Sequence, residues 1–163
     1  TEYYHAGFDH YFMTADPAEK AALDNGTFAG WQRTGNGFAA YRAGSGAAGT
    51  SPVCRFYGRP EAGLDSHFYS ALPAECVAVA ERFGQAWVLE SADVFEVEIP
   101  DSITGLCSDS TVPLYRAYDN RRDANHRYSV TAQLQKTMQT SGWIPEGGTS
   151  AGIAMCVPAV LHP

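Results

Sequence analysis

Three tryptophans and three histidines recur along this chain of 163 residues, and both residue types can do chemistry. The only tryptophans lie 56 residues apart: Trp31, Trp87 and Trp143. About 20 residues before each tryptophan lies a histidine within a short aromatic block: His10, His67 and His126. An indole ring can cover the apolar face of a sugar, and an imidazole can exchange hydrogen bonds with hydroxyl groups. The spacing indicates an internal repeat, so we expect such chemistry in three related copies.

Sites for small ligands combine apolar walls with a few well-placed polar groups. The candidate ligand-binding residues are thirteen side chains of these blocks and their neighbours: His10, His67, His126, Trp31, Trp87, Trp143, Tyr57, Tyr69, Tyr118, Tyr128, Asn125, Arg55 and Arg116. The alternative interpretation is structural. A repeated Trp often fills the core of its unit, and a His beside an aromatic ring often makes an interior hydrogen bond.

Two metal hypotheses also follow from these residues. Three equivalent imidazoles around an axis would resemble a catalytic zinc set, provided that the rings converge on one point. Asp119, Asn120 and Asp123 offer oxygen ligands for calcium, although their spacing does not match an EF-hand loop. The sequence favours neither site, and no cofactor is expected.

The same series of elements positions these residues in each unit. An aromatic strand is followed by a turn, the His block as a second strand, a short helix, a Trp strand and a last strand. The first strands are expected over residues 2–4, 53–57 and 114–118, and the last over residues 37–41, 94–97 and 152–156. The helices should start after Asp16, Leu72 and Thr131, and stop near Gly26, Gly84 and Gly142.

These elements predict a mainly β fold with short helices (α+β) in a single domain over residues 1–163. Repeat 1 covers residues 1–43, repeat 2 covers 52–99 and repeat 3 covers 113–159, with linkers over 44–51 and 100–112. One unit is too small to bury a sufficient core, so the three units should share one. We expect a pseudo-threefold arrangement, either β-trefoil-like or like a small three-bladed propeller.

Charge and short motifs exclude several classes of function. The net charge is −7, and no basic cluster is longer than Arg121-Arg122, so neither nucleic acid nor an anionic membrane surface is expected as a partner. No apolar run approaches the ~20 residues of a membrane helix. The motifs of serine hydrolases, zinc peptidases and phosphate-binding loops do not occur. A hydrolase of an unrecognised kind stays an alternative.

The four cysteines indicate disulfide bonds. They are even in number and contain no Cys-x-x-Cys, which argues against a zinc ribbon or a thioredoxin-type site. Four cysteines allow three pairings, and sequence alone does not decide among them. We favour Cys54–Cys76 within the second unit and Cys107–Cys156 between the last linker and the last strand. Two disulfides are typical of an exported protein.

Several segments resemble one known repeat. They are residues 52–57, 66–70, 74–76, 112–116, 125–129 and 142–147. The family they resemble is a tandem repeat of unassigned function with a His-Phe-Tyr-Thr signature. It is found in secreted bacterial proteins and is often attached to hydrolases, including cell-wall lysozymes and peptidases. The first unit departs most, because it has Phe-Met where the signature has Tyr-Thr and lacks the Arg of the opening strand.

The resemblance implies a secreted, non-catalytic accessory module. Together with the repeated aromatic residues, it predicts a lectin-like domain that binds a polysaccharide or cell-wall glycan. The main alternative is a protein–protein interaction domain that docks on or stabilises a secreted hydrolase. Neither alternative involves nucleic acid or a membrane.

Overall fold

The computed structural model describes residues 1–159, which form twelve strands and three α-helices. The strands are β1 (Glu2–His5), β2 (His10–Met13), β3 (Trp31–Arg33), β4 (Thr50–Pro52), β5 (Cys54–Gly58), β6 (His67–Ser70), β7 (Trp87–Ser91), β8 (Glu96–Glu98), β9 (Thr111–Tyr118), β10 (His126–Ser129), β11 (Ile144–Glu146) and β12 (Ile153–Pro158). The helices are α1 (Pro17–Asp24), α2 (Pro73–Phe83) and α3 (Ala132–Thr140).

Each unit builds the same three-stranded antiparallel sheet with its opening strand in the middle. The His-block strand pairs on one side and the Trp strand on the other, in the orders β2-β1-β3, β6-β5-β7 and β10-β9-β11. The helix lies between these two edge strands in the sequence, so it carries the chain from one edge of the sheet to the other. We call these the first, second and third units.

The helices begin where the sequence predicts. The carboxylate of Asp16 accepts the backbone N–H groups of Ala18 and Glu19 at 2.8 Å, which caps the start of α1. Pro73 occupies the first turn of α2, and Thr131 precedes α3 without a capping bond from its side chain. None of the helices in residues 1–159 has the length and apolar character that a membrane-spanning segment requires.

The predicted last strands are only partly present. β8 and β12 form, but residues 37–41 make no strand, and Tyr41 alone exchanges two backbone hydrogen bonds with Glu96, at 3.0 and 2.9 Å. Gly and Ala fill most of this segment and have low β propensity, which accounts for the difference. The first linker instead supplies β4, which pairs with β8.

Strands β4, β8 and β12 extend the sheet of the third unit. Their order is β10-β9-β12-β8-β4, and β11 pairs with residues 116–118 of β9 on the same edge as β12. The described residues therefore form three open sheets and no closed barrel. With three short helices beside these sheets, the fold is mainly β. The trefoil-like or propeller-like symmetry stays a prediction.

One contiguous hydrophobic core contains side chains from all three units. Tyr3 of the first unit, Tyr69 of the second and Leu114 of the third are all at most 1% exposed within it. A smaller cluster in the second unit contains Phe56 and Phe68 with the partly buried Trp87. The shared core is what the small size of each unit requires.

Both disulfides form with the predicted pairing. Cys54–Cys76 ties β5 to α2 within the second unit. Cys107–Cys156 ties the second linker to β12. All four cysteines are paired, so the two bonds constrain the second unit and the connection into the third.

Candidate functional site

A shared turn contact aligns the first two units residue by residue. Tyr4 donates a hydrogen bond to the carboxylate of Asp9 at 2.8 Å, as Tyr57 does to Asp65 at 2.7 Å. Both Asp residues have a positive φ, near 56°, which an Asp side chain tolerates better than most. Tyr4 and Tyr57 are therefore equivalent positions, and so are the two aspartates.

This alignment moves the first histidine out of the set of three. β1 pairs Tyr4 with Tyr11, whereas β5 pairs Tyr57 with His67. Tyr11 is thus the counterpart of His67, and His10 lies one position earlier than the sequence suggested. The three imidazoles are not equivalent, so the basis of the zinc hypothesis is lost. Residues 1–159 also contain no group of three or more His, Cys, Asp or Glu side chains able to hold a metal ion.

His10 instead connects the first unit to both others, since its Nε2 atom lies 3.0 Å from the Asp123 carboxylate of the third unit. It is equivalent to Ser66 and Asn125, and all three side chains are buried. His10 bonds a carbonyl oxygen of the second unit at 2.8 Å, and Ser66 bonds two of the third unit at 3.0 and 3.1 Å. Asn125 completes the cycle through the backbone of Tyr11 in the first unit, at 3.1 and 3.3 Å. These residues hold the units together, and their hydrogen bonds stay within the protein.

An ion-pair cluster lies at the junction between the first and second units. Both terminal nitrogens of Arg55 donate to Glu19 of α1, at 2.7 and 2.9 Å. The Nε atom of Arg55 lies 2.8 Å from Glu90 of β7, which also lies 3.4 Å from His67. The guanidinium therefore joins a helix of one unit to a strand of the next. We call this cluster the first junction.

Aromatic rings pack against the same cluster. Phe12 lies 4.6 Å from the His67 ring and 5.9 Å from Trp31, measured between ring centroids. Arg55 lies over the Phe12 ring at 5.6 Å, a cation–π distance. Phe12 and Trp31 come from the first unit, whereas Arg55 and His67 come from the second.

The charges of the first junction hold both glutamates ionised. Burial alone would raise the pKa of Glu19, but hydrogen bonds from Arg55 and Thr14 outweigh burial and lower the pKa. Burial would likewise raise the pKa of Glu90, but His67 and Arg55 outweigh burial and lower that pKa as well. A glycosidase needs one carboxyl group that stays protonated near neutral pH. This pair does not supply one.

The junction between the second and third units repeats these contacts. Arg116 donates to Glu75 of α2 at 2.9 and 3.0 Å and lies 3.1 Å from Glu146, which lies 3.2 Å from His126. Phe68 lies 5.0 Å from both the Arg116 guanidinium and the His126 ring. We call this cluster the second junction.

The third junction lies between the third and first units and has its charged residues at exchanged positions: Glu replaces the Arg of the opening strand, and Arg replaces the Phe of the His-block strand. Glu2 stands where the other units have Arg, and it pairs with the buried Arg127 at 2.9 and 3.0 Å. Arg127 lies 4.0 Å over the ring of Tyr11, which contacts Trp143 at 6.0 Å. The charge pair and the aromatic contact persist although their positions are reversed.

The first junction opens into a pocket with a volume of about 310 Å³. Its aromatic wall comes from the first unit and includes Phe8, Phe12, Phe28 and Trp31. The polar lining is Glu19, Arg55, Tyr57, Asp65, His67 and Glu90. Phe8 and Phe28 are 48% and 54% exposed, which is unusual for side chains of this size. We call this cavity the junction pocket.

The first junction is more open than the second. The side chains of Arg55 and His67 are 13% and 18% exposed, against 7% and 9% for Arg116 and His126. The ion pair of the third junction is also buried. A ligand therefore has better access to the first junction than to the other two.

The remaining predicted tyrosines divide between the pocket and the interior. Tyr57 lines the junction pocket, and burial with a hydrogen bond to Asp65 raises its pKa to about 12, so the phenol stays a hydrogen-bond donor. Tyr69 and Tyr128 are buried and donate to backbone carbonyl oxygens at 2.6 and 2.8 Å. Tyr118 stacks on the His126 ring at 5.2 Å. Only Tyr57 of these four lines the pocket.

Arg121 occupies the centre of the turn that suggested a calcium site. Its Nε atom lies 3.0 Å from the Asp119 carboxylate and 3.4 Å from that of Asp123. Its terminal nitrogen donates to Asp9 at 2.6 Å. A guanidinium thus supplies the positive charge between the carboxylates that a calcium ion would have supplied.

The thirteen candidates from the sequence did not include seven residues of the junction pocket, among them Phe8, Phe28, Glu19 and Asp65. Phe8 and Phe28 lie in turns outside any periodic pattern, where a large aromatic side chain could have been noticed, although the Phe8 ring also stacks on that of His5 at 4.1 Å. Glu19 belongs to α1 and Asp65 to the connection before β6. Their roles depend on contacts between units, which a pattern within one unit does not contain.

Comparison with known sequences supports the repeat but adds no activity. A family model described as "Domain of unknown function (DUF5648)" matches residues 2–97 and 100–155, which extend over most of all three units. This agrees with the resemblance to a repeat family of unassigned function, whereas the His-Phe-Tyr-Thr signature and the attachment to hydrolases stay predictions. No curated protein and no solved structure matches the chain. Because the match extends over most of its length, the chain belongs to the DUF5648 family of domains of unknown function.

Proposed function

We propose that this chain is a secreted, non-catalytic carbohydrate-binding module whose site is the junction pocket. The observation that carries the proposal is the pocket itself, in which exposed aromatic rings of one unit face ionised and hydrogen-bonding groups of the next. Its volume of about 310 Å³ lies within the range of small-ligand sites.

The lining matches the two kinds of surface that a sugar presents. Trp31, Phe8 and Phe28 offer flat apolar area to the C–H faces of a pyranose ring. Glu90 and Asp65 carry carboxylate oxygens that can accept hydrogen bonds from sugar hydroxyl groups. Catalysis is disfavoured at this pair of glutamates, since both have a lowered pKa.

The proposal includes an approximate threefold arrangement of the units, trefoil-like or propeller-like. It is supported by the cyclic contacts of His10, Ser66 and Asn125 and by the charge pair at each junction. Repetition does not imply three equal sites here, because the second and third junctions are more enclosed. We therefore propose one principal site.

Two disulfides support an extracellular location, because such bonds persist in oxidising compartments. A polysaccharide or cell-wall glycan is the proposed partner. The resemblance to repeats attached to hydrolases suggests that the module brings a catalytic domain to its substrate.

The experiment is a pull-down of the purified domain on insoluble polysaccharides, including peptidoglycan, chitin and cellulose. We expect retention of the wild type on at least one polymer, loss of retention in Trp31→Ala, and competition by soluble fragments of that polymer. Trp143→Ala is the matched control, since it changes the equivalent Trp at the third junction. Circular dichroism checks that both variants fold.

Failure of the wild type to bind any polymer would contradict the proposal. Equal loss in both folded variants would contradict the placement of the site. In the first case a protein partner becomes the better hypothesis, and the exposed Val77 and Phe83 of α2 are where to look for its contacts.

A further inference from the structure

The junction pocket carries more negative than positive charge. Three carboxylates line it, from Glu19, Asp65 and Glu90. Among residues 1–159, Arg55 supplies the only guanidinium of the lining, and His67 adds at most one further positive charge. Charges in a partly enclosed cavity are screened less than charges in bulk water, so this excess acts on any ligand.

Arg55 is already committed to the protein. Both terminal nitrogens bond Glu19, and Nε faces Glu90. A carboxylate or phosphate is usually bound by the paired donors of a free guanidinium edge. Since the edges of Arg55 are occupied by glutamates, an acidic sugar would meet carboxylates without an available cationic partner.

The aromatic wall also suits a cation. The face of an indole attracts an ammonium group through the negative charge of its π system. Trp31 lies in the same lining as the carboxylates of Glu90 and Asp65. A sugar that carries an ammonium group can therefore stack its ring and place its charge toward these carboxylates in one pose.

We propose that the junction pocket selects amino sugars with a free ammonium group over the corresponding neutral, N-acetylated and carboxylated sugars. This inference rests on the proposed function, and it names the class of sugar that the same site takes. The selectivity arises from the excess of carboxylates and from the occupied edges of Arg55.

The test uses β-1,4-linked tetrasaccharides that differ mainly at one carbon. They carry hydroxyl, acetamido or ammonium groups at C2, and a fourth ligand carries carboxylates at C6. Isothermal titration calorimetry at about pH 6 keeps a sugar amine protonated. We expect the tightest binding for the ammonium form, with an affinity that decreases as salt is added.

Asp65→Asn is the informative variant. Its amide oxygen can still accept the hydrogen bond from Tyr57, and Asn tolerates the positive φ of this position. Loss of one negative charge should weaken binding of the ammonium ligand roughly three- to tenfold and leave the neutral ligand almost unchanged. Asp9→Asn is the matched control, because Asp9 occupies the same turn position outside the pocket and should not change either affinity.

The outcomes separate the inference from the proposed function. Equal or tighter binding of the neutral, acetylated or carboxylated ligand, with loss in Trp31→Ala, would overturn the amino-sugar preference and keep the carbohydrate site. An identical effect of Asp65→Asn and Asp9→Asn would likewise overturn the charge argument. Binding of none of the four ligands, together with no retention on insoluble polymers, would overturn the proposed function itself.

Discussion

Arg55 and Arg116 each place one guanidinium between two glutamates that belong to different elements. Burying such charges is costly, and their mutual attraction compensates only when the geometry is good. Once the cluster exists, removal of the Arg leaves two partly buried glutamates without its charge, and of these Glu90 or Glu146 keeps only its His partner. An apolar cluster of similar volume could be as stable as this one, so the main consequence of the ion pairs is that each member depends on the others.

Arg116→Met tests the structural role of this cluster. The side chain of Arg116 is nearly buried, and its loss leaves Glu75 without its cation and Glu146 with His126 alone. We expect the free energy of unfolding to decrease by about 3 kcal/mol, measured by urea denaturation. Arg33→Met is the control, because Arg33 pairs with Asp24 on the surface, and it should change stability little. Equal effects of the two substitutions would contradict the assigned role.

Single residues differ in how far the sequence predicts them. The repeated Trp were identifiable, because a rare residue type at regular spacing leaves few choices, whereas the disulfide pairing was favoured among three that the sequence left open. The sequence aligned His10 with His67 because both are histidines within an aromatic block. The counterpart of His67 is instead the neighbouring Tyr11. Only the backbone pairing of β1 with β2 reveals this register.

The three helices occupy the same place in each unit but are capped differently. α1 starts with a side-chain bond from Asp16, whereas Thr131 makes no such bond at the start of α3. A capping side chain satisfies backbone N–H groups that have no partner within the helix. The first unit thus depends on its cap in a way that the third does not.

Asp16→Ala should lower the free energy of unfolding by about 1 kcal/mol, because two N–H groups at the start of α1 lose their acceptor. Thr131→Ala should cost clearly less, since its hydroxyl makes no capping bond. Chemical denaturation of both variants measures the difference. If Thr131→Ala lowered the free energy of unfolding more than Asp16→Ala does, the capping bonds of Asp16 would not be what stabilises α1.

The order of the elements was predictable because strands and helices differ in the period of their apolar residues and in the residues that start and end them. Proline and capping residues marked the helix starts, and aromatic runs marked the strands. Residues 37–41 were expected to form a strand and do not, whereas β4 arose in a segment interpreted as a linker. Pairing of short Gly- and Ala-rich segments depends on the neighbouring strand, here β8, and that neighbour is decided by the tertiary fold.

The whole molecule is held together by contacts between consecutive units and between the last unit and the first. A shared core, a cyclic set of buried polar side chains and an ion pair at each junction connect all three. No single unit contains a complete junction. The pocket therefore exists only in the assembled fold, which explains why its composition could not be read from one repeat.

Acid should open the junctions, because Glu19, Glu75, Glu90 and Glu146 all have a lowered pKa in the folded protein. At each of them burial opposes ionisation, and the neighbouring Arg or His outweighs it. The unfolded chain then binds more protons at low pH than the folded one, so stability decreases with decreasing pH. The contribution is complete above the unfolded pKa of about 4.3 and is lost as the pH falls through the lowered values.

Urea denaturation between neutral pH and about pH 3 measures this dependence. The doubly substituted Glu75→Gln, Glu146→Gln protein lacks two of the four titrating groups, so its stability should decrease less steeply over the same range. The loss of neutral-pH stability in this variant does not affect the comparison, which concerns the slope alone. An unchanged slope would mean that other carboxylates, and not those at the junctions, control the acid sensitivity of the fold.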